Sequence, residues 1–169
     1  MKKLLIVVDM QNDFITGSLG SQQAIAVMPH VRREISERTG EGWEVAYTRD
    51  THTKKYLTTQ EGTRLPVEHC IEKTVGWQIA ENLYQGGKIF DKATFGSCAL
   101  GEYVRDGGYE EVELIGVCTD ICVISNALLI KAYAPETRVS VKADACAGVT
   151  EESHRTALKA MQACQIDVV

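Results

Sequence analysis

The chain has 169 residues, 44% of them hydrophobic, and a formal net charge of −5. That length and apolar content suit one ordinary domain with one core, spanning 1–169. Neither sign of charge gathers into long runs, which excludes the electrostatic footprint of a nucleic-acid or anionic-membrane binder.

Apolar, β-branched-rich runs predict strands at Leu4 to Val8, Val45 to Thr48, Lys88 to Phe90, Val112 to Val117, Val139 to Val141 and Ile166 to Val169. Helical spacing falls between most of them, at Ala24 to Arg38, Cys98 to Arg105, Ile121 to Ala134 and Glu151 to Ala163. Thr39-Gly40 and Gly107-Gly108 close the first two helices, Pro135 ends the third, and Thr150 caps the fourth. Strand and helix in alternation predict a three-layer α/β/α domain around a mostly parallel sheet. Asp50 to Gly87 stands apart as a long polar stretch without steady periodicity, and such loops are commonly functional.

The apolar run after Met1-Lys2-Lys3 stops at Asp9 with no cleavage site behind it, so it reads as a buried strand and not as a signal peptide. No stretch reaches the roughly 20 apolar residues of a membrane span. The expectation is a soluble protein of the reducing cytoplasm. There the six cysteines (70, 98, 118, 122, 146 and 164) do not form a disulfide framework. Cys118 and Cys122, with three residues between them and no second pair, do not make a zinc ribbon either.

In an open α/β sheet, ligands bind beyond the carboxyl ends of the strands. Those ends carry Asp9, Asp50, Asp91-Lys92 and the stretch Cys118 to Cys122. Cys122 sits near a helix start, where the dipole and free amides favour a thiolate and can hold an oxyanion. Its alternative is a buried helix cysteine packed between Val123 and Ile124. Asp9 at a buried strand end needs a partner. It either caps the following loop or accepts the thiol proton. Lys92 is either a solvated strand-end lysine or the cation between them.

Three segments then form a pattern: Val7-Val8-Asp9-Met10-Gln11-Asn12-Asp13-Phe14, Asp91-Lys92-Ala93-Thr94-Phe95-Gly96-Ser97 and Gly116-Val117-Cys118-Thr119-Asp120-Ile121-Cys122-Val123. Together, in this order, they resemble the isochorismatase-like cysteine hydrolases, and within them the nicotinamidase branch. The resemblance implies a six-stranded sheet of order 3-2-1-4-5-6 and an Asp9, Lys92, Cys122 triad. It also implies a cis peptide from Val117 to Cys118, with the Cys118 and Cys122 amides forming an oxyanion hole.

For a divalent metal, zinc first, with iron or manganese as alternatives, the resemblance implies the Asp-x-His pair Asp50 and His52, with His69 and Glu61 completing the set. Here the loop reads Leu65-Pro66-Val67-Glu68-His69 where the family has an aromatic residue, two prolines and His. His30 and His154 read as surface residues. Phe14 and Phe95 would flank a flat ring, with Leu19, Leu65 and Ile121 as further substrate contacts. The implied activity is hydrolysis of a small carboxamide such as nicotinamide through a thioester, in nicotinamide salvage, and the apolar helix faces lead to the expectation of a homo-oligomer. The alternatives are a ureido compound or another amide on the same scaffold, or a non-catalytic binding protein.

Overall fold

The computed structural model describes residues 1–169. In chain order the elements are β1 (Lys3–Val8), α1 (Asn12–Ile15), α2 (Gln22–Gly40), β2 (Glu44–Asp50), α3 (Gln60–Arg64), β3 (Lys88–Lys92) and α4 (Cys98–Gly107). There follow β4 (Glu111–Val117), α5 (Ile124–Tyr133), β5 (Arg138–Ala147), α6 (Glu151–Ala163) and β6 (Asp167–Val168). The strands form one sheet of order β3-β2-β1-β4-β5-β6. Every pairing in it is parallel, so all carboxyl ends lie along one edge.

The sheet is covered on both faces, which explains the unbroken apolar runs of its central strands. On one face Val31 and Ile35 of α2 pack against Leu5, Val7, Tyr47 and Ile115. On the other, residues of α4, α5 and α6, among them Leu100, Val104, Ile130 and Met161, pack against Leu4, Ile6, Val112 and Leu114. The helix starts are capped by side chains. Ser21 accepts from the Ala24 amide, Ser97 from Leu100, and Thr150 exchanges hydrogen bonds with Ser153 ahead of two acidic residues. No helix is long and apolar enough to cross a membrane.

Gly116 fixes the fit between the two central strands. Its φ of 116° lies where side chains are disfavoured. A Cβ there would stand 2.2 Å from the Val8 carbonyl oxygen.

Several predicted limits need correction. β5 runs to Ala147, well past Val141, because the chain slips register: Leu114 pairs with Val141 but Gly116 with Cys146. This irregular, alanine-containing stretch has no apolar run to reveal it. The helix expected from Ile121 begins as a π turn over Thr119–Val123 and becomes α-helical only at Ile124. The Asp50 to Gly87 stretch holds a short helix, α3, whose cap is the Thr59 side chain accepting from the Gly62 amide. The Val117 to Cys118 peptide is cis.

Away from the strand-end edge, Glu34 of α2 and Glu113 of β4 are both buried and share Arg38. Arg38 Nε lies 2.9 Å from Glu34, and Nη2 lies 2.9 Å from Glu113. Burial and the adjoining Glu113 carboxylate push the Glu34 carboxyl up to about 7, against the pull of Arg38 and Lys142. An acid raised in the folded state stabilises it fully below the unfolded value of 4.5, and that contribution is lost as pH rises to about 7. Relative to Glu34→Gln, the unaltered protein should therefore lose thermal stability as pH increases across this window. A melting-temperature difference that stays flat with pH would show that Glu34 is not titrating there.

Candidate active site

Parallel register brings together the ends of four strands. β1 lies between β2 and β4, with Val8 beside both Thr48 and Gly116, and Asp50 is paired with Lys92 across β2 and β3. Asp9 follows β1 with φ 49°, a left-handed turn that Asp tolerates better than most residues. Its carboxylate is fully buried. Asp9 Oδ1 accepts a 2.6 Å hydrogen bond from the Thr48 hydroxyl, and Oδ2 sits 2.6 Å from Lys92 Nζ. The alternative of Asp9 capping its own loop is therefore not what is seen.

Lys92 is buried too, which overturns the reading of a solvated strand-end lysine. Its ammonium also lies 3.5 Å from Cys122 Sγ and 3.7 Å from Asp50 Oδ1, and donates to the Thr94 carbonyl at 3.1 Å. Burial disfavours this charge, but Asp9, Cys122 and Asp50 outweigh it and raise the Lys92 pKa further. Lys92 is thus a fixed cation.

The environment of Cys122 differs from the expectation of a thiolate at a helix start. Burial and the negative charge of Asp9 push the thiol well above its ordinary range, against the pull of Lys92. Burial likewise raises the Asp9 carboxyl, in spite of Lys92, which makes it a better proton acceptor than a solvated aspartate.

Two residues that sequence reasoning missed hold this arrangement. One is Thr48, described above. The other is Asn126, fully buried in α5, which donates to the carbonyls of Cys122 (2.8 Å) and Phe95 (3.1 Å) and accepts from the Ser97 amide (3.0 Å). A buried asparagine inside an apolar helix must be satisfied, and that was its available signal. His154, expected at the surface, is half-buried and shares a 2.7 Å hydrogen bond with the hydroxyl of Thr119 in the π turn.

Beside this cluster lie Asp50, His52, Glu61 and His69, whose ligand atoms all fall within 4.8 Å of one another. Asp50 and His52 come together from the end of β2, and Glu61 and His69 from two separate parts of the long loop. His52 donates its amide to the Cys70 carbonyl, which ties the end of β2 to the residue after His69. Glu61 is presented by α3.

The donor set fits a divalent cation. His69 Nδ1 lies 2.8 Å from the Val67 carbonyl, so with its proton there Nε2 is left as a lone pair. That Nε2 faces Asp50 Oδ2 at 3.2 Å, and His52 Nε2 faces the same oxygen at 2.8 Å. Asp50 Oδ1 is buried without a hydrogen-bond partner. Burial raises the Asp50 carboxyl, but the two histidines and Lys92 overcome it and hold the pKa low. Two imidazoles and two carboxylates facing a common point are borderline-soft ligands suited to zinc, iron or manganese.

A cavity of about 490 Å³ opens over both groups and is bordered by Cys122, Cys118, Asp50 and His69. All five residues expected to touch substrate line it: Phe14, Leu19, Leu65, Phe95 and Ile121. Phe14 packs against the His69 ring at 5.6 Å between centroids, while Phe95 and Leu65 stand at the partly exposed mouth. Val149 and Ser21 also border the cavity and were not foreseen. None of the lining residues is Lys or Arg.

Among known proteins, the nicotinamidase of Schizosaccharomyces pombe is 29% identical, over 98% of this chain and 91% of its own. The nicotinamidase/pyrazinamidase of Mycobacterium tuberculosis is 25% identical, over 99% of this chain and 98% of its own. The crystal structure of the pyrazinamidase of Pyrococcus horikoshii in complex with zinc superposes with a TM-score of 0.88 at 28% identity, covering 100% of this chain and 99% of that one. The Isochorismatase domain model matches residues 3–169, and the chain belongs to that family.

Proposed function

We propose that this protein is a cysteine-dependent amidohydrolase that converts a small, uncharged aromatic carboxamide, with nicotinamide as the leading candidate, into the acid and ammonia. The observation that carries the reading is Lys92 Nζ, 2.6 Å from Asp9 and 3.5 Å from Cys122 beneath an apolar cavity. The names of its relatives point the same way.

In the proposed reaction Asp9 takes the thiol proton as Cys122 Sγ bonds to the amide carbon. The Cys118 and Cys122 amides receive the carbonyl oxygen as it gains charge. Lys92 keeps the site's charge balanced while the proton is on Asp9. When the C–N bond breaks, Asp9 returns the proton to nitrogen and ammonia leaves a thioester. Water then adds to that carbon, giving a proton to Asp9. The C–S bond breaks, and the proton passes back to sulfur.

Asp50, His52, His69 and Glu61 would hold the divalent ion, which supplies a Lewis-acidic contact for a ring nitrogen directly or through its water. Phe14 and Phe95 flank the ring, and Leu19, Leu65 and Ile121 exclude water from it.

Apart from His69 and the ion proposed beside it, which this reading reserves for the ring nitrogen, the cavity wall offers no Lys or Arg, and that favours an uncharged amide over a ureido substrate. Substrates such as N-carbamoyl amino acids carry a carboxylate, and a buried carboxylate requires a cationic partner. The test is ammonia release from nicotinamide, pyrazinamide, benzamide and N-carbamoyl amino acids, with and without chelator. The aromatic carboxamides should be hydrolysed and the anionic compounds should not. Chelation should chiefly raise KM for the two ring-nitrogen amides and leave benzamide much less affected. Turnover of the carbamoyl compounds in preference to the aromatic amides would replace this reading with the ureido one.

A further inference from the structure

We infer that Gln11 is a positioning residue for the metal group, fixing the backbone of Asp50 through its side-chain amide; this rests on the metal reading above. Gln11 is fully buried, and both polar atoms of its primary amide are hydrogen-bonded. Oε1 accepts from the Asp50 amide at 2.8 Å, and Nε2 donates to the Asp50 carbonyl at 2.9 Å and to the Trp77 carbonyl at 2.8 Å.

The reason lies in how β1 ends. Its pairing with β2 stops at Val8 and Thr48, because Asp9, at φ 49°, turns the main chain out of the strand. The backbone groups of Asp50, two residues further along β2, therefore lose the neighbour that the ladder would have supplied. Gln11 returns to that place and offers an amide carbonyl and an amide N–H, the two groups a peptide unit would have offered. With both backbone groups of Asp50 bound, the residue cannot rotate about its own Cα without breaking a buried hydrogen bond.

Gln11 also joins Asp50 to the far side of the long loop. Its third bond reaches Trp77, whose indole N–H donates to the Thr51 hydroxyl at 2.8 Å, and the Asn12 amide next to it donates to the Gln78 carbonyl. The residue between the two candidate ligands Asp50 and His52 is thus tied from the same segment. Asp50 faces two histidine nitrogens and carries an unpartnered oxygen. Its carboxylate can meet an ion at the common point only if its Cα stays where Gln11 holds it.

No other residue serves this purpose equally well. Asn is one methylene short, Glu presents a carboxylate to two carbonyl oxygens, and Met leaves both buried backbone groups of Asp50 and the half-buried Trp77 carbonyl without their partner. Loss of an outer partner of this kind weakens metal affinity by about 10- to 100-fold in other metal sites. A purely structural role would lower the melting temperature and leave the affinity of the folded protein unchanged.

The test is zinc titration of metal-stripped protein against a chromophoric chelator, on samples whose folding is checked by thermal unfolding. The unaltered protein should bind a single zinc ion, His52→Ala should lose it, and folded Gln11→Met and Gln11→Glu should bind about 10- to 100-fold more weakly. Affinity in the Gln11 variants equal to that of the unaltered protein, while His52→Ala has lost the ion, overturns the role of Gln11 and leaves the metal reading standing. Failure of the unaltered protein to bind zinc overturns both. Should the Gln11 variants not fold, glutamine-selective ¹⁵N labelling of the unaltered protein decides. The Gln11 side-chain amide should exchange slowly with solvent and shift on zinc addition, and a resonance indifferent to zinc overturns the inference.

Discussion

Cys122→Ala should lower ammonia release by on the order of 10⁴-fold or more while the protein still folds. The chemical half of this expectation follows from the site. No other thiol or hydroxyl is held within hydrogen-bonding reach of the Lys92 ammonium, so nothing can take the place of the lost sulfur. The structural half follows from size, since Ala fits the buried position and removes only one heavy atom, at a cost of about 1 kcal/mol.

Cys146→Ala is the matched control. Cys146 is equally buried in the same core cluster, and its sulfur faces the Leu114 carbonyl and not the strand-end ions. It should lose a similar amount of stability and keep its activity. Turnover by Cys122→Ala within about tenfold of the parent, with Cys146→Ala unchanged, would end the covalent assignment.

Asp9→Asn and Lys92→Met should each reduce kcat by on the order of 10³-fold or more, and the double variant should be little worse than the worse single one. The pair is buried and in contact, so each change also strands a charge. Without Lys92 the Asp9 carboxylate keeps only the Thr48 hydroxyl. Without the Asp9 charge, the ammonium keeps Asp50 at 3.7 Å. Breaking a buried ion pair from one side costs roughly 3–5 kcal/mol, whereas removing both charges relieves most of that. The double variant should therefore melt above at least one of the singles, although it has lost two native groups. Rate losses that simply multiply, or melting temperatures that fall additively, would show that the two residues act independently.

Much of this site was legible because of where its acids fall. An aspartate after five apolar residues, as at Asp9, costs too much to bury idly, and a parallel sheet sends every such strand end to one edge. Asp50 and Lys92 could be placed on the same grounds. Glu61 and His69 could be assigned only through the resemblance, since bringing them to Asp50 depends on Thr59 capping a short helix and on His52 bonding Cys70 across the loop.

The π turn was not legible, because residues compatible with it are equally compatible with an α-helix. The surroundings of Cys122 were only partly legible for a related reason. The helix dipole could be read from position along the chain, but the burial and the Asp9 charge that push the thiol the other way exist only after the strands have come together.

That dependence bears on how the chain acquires its activity as it folds. Asp9 and Thr48 are 39 residues apart in sequence, and Lys92 and Cys122 are 30 apart. Their proximity comes from β1, the first strand of the chain, which must accept two partners from later parts of it, β2 and β4. Parallel pairings of this kind close large loops and form slowly compared with helices. α2 and α4 can form locally while the thiol, the carboxylate and the ammonium are still far apart. A chain still emerging from the ribosome, or a collapsed intermediate with most of its helical signal, therefore carries none of the chemistry. The reactive centre is among the last parts of the molecule to exist, which keeps a nucleophilic sulfur from being activated before a cavity encloses it.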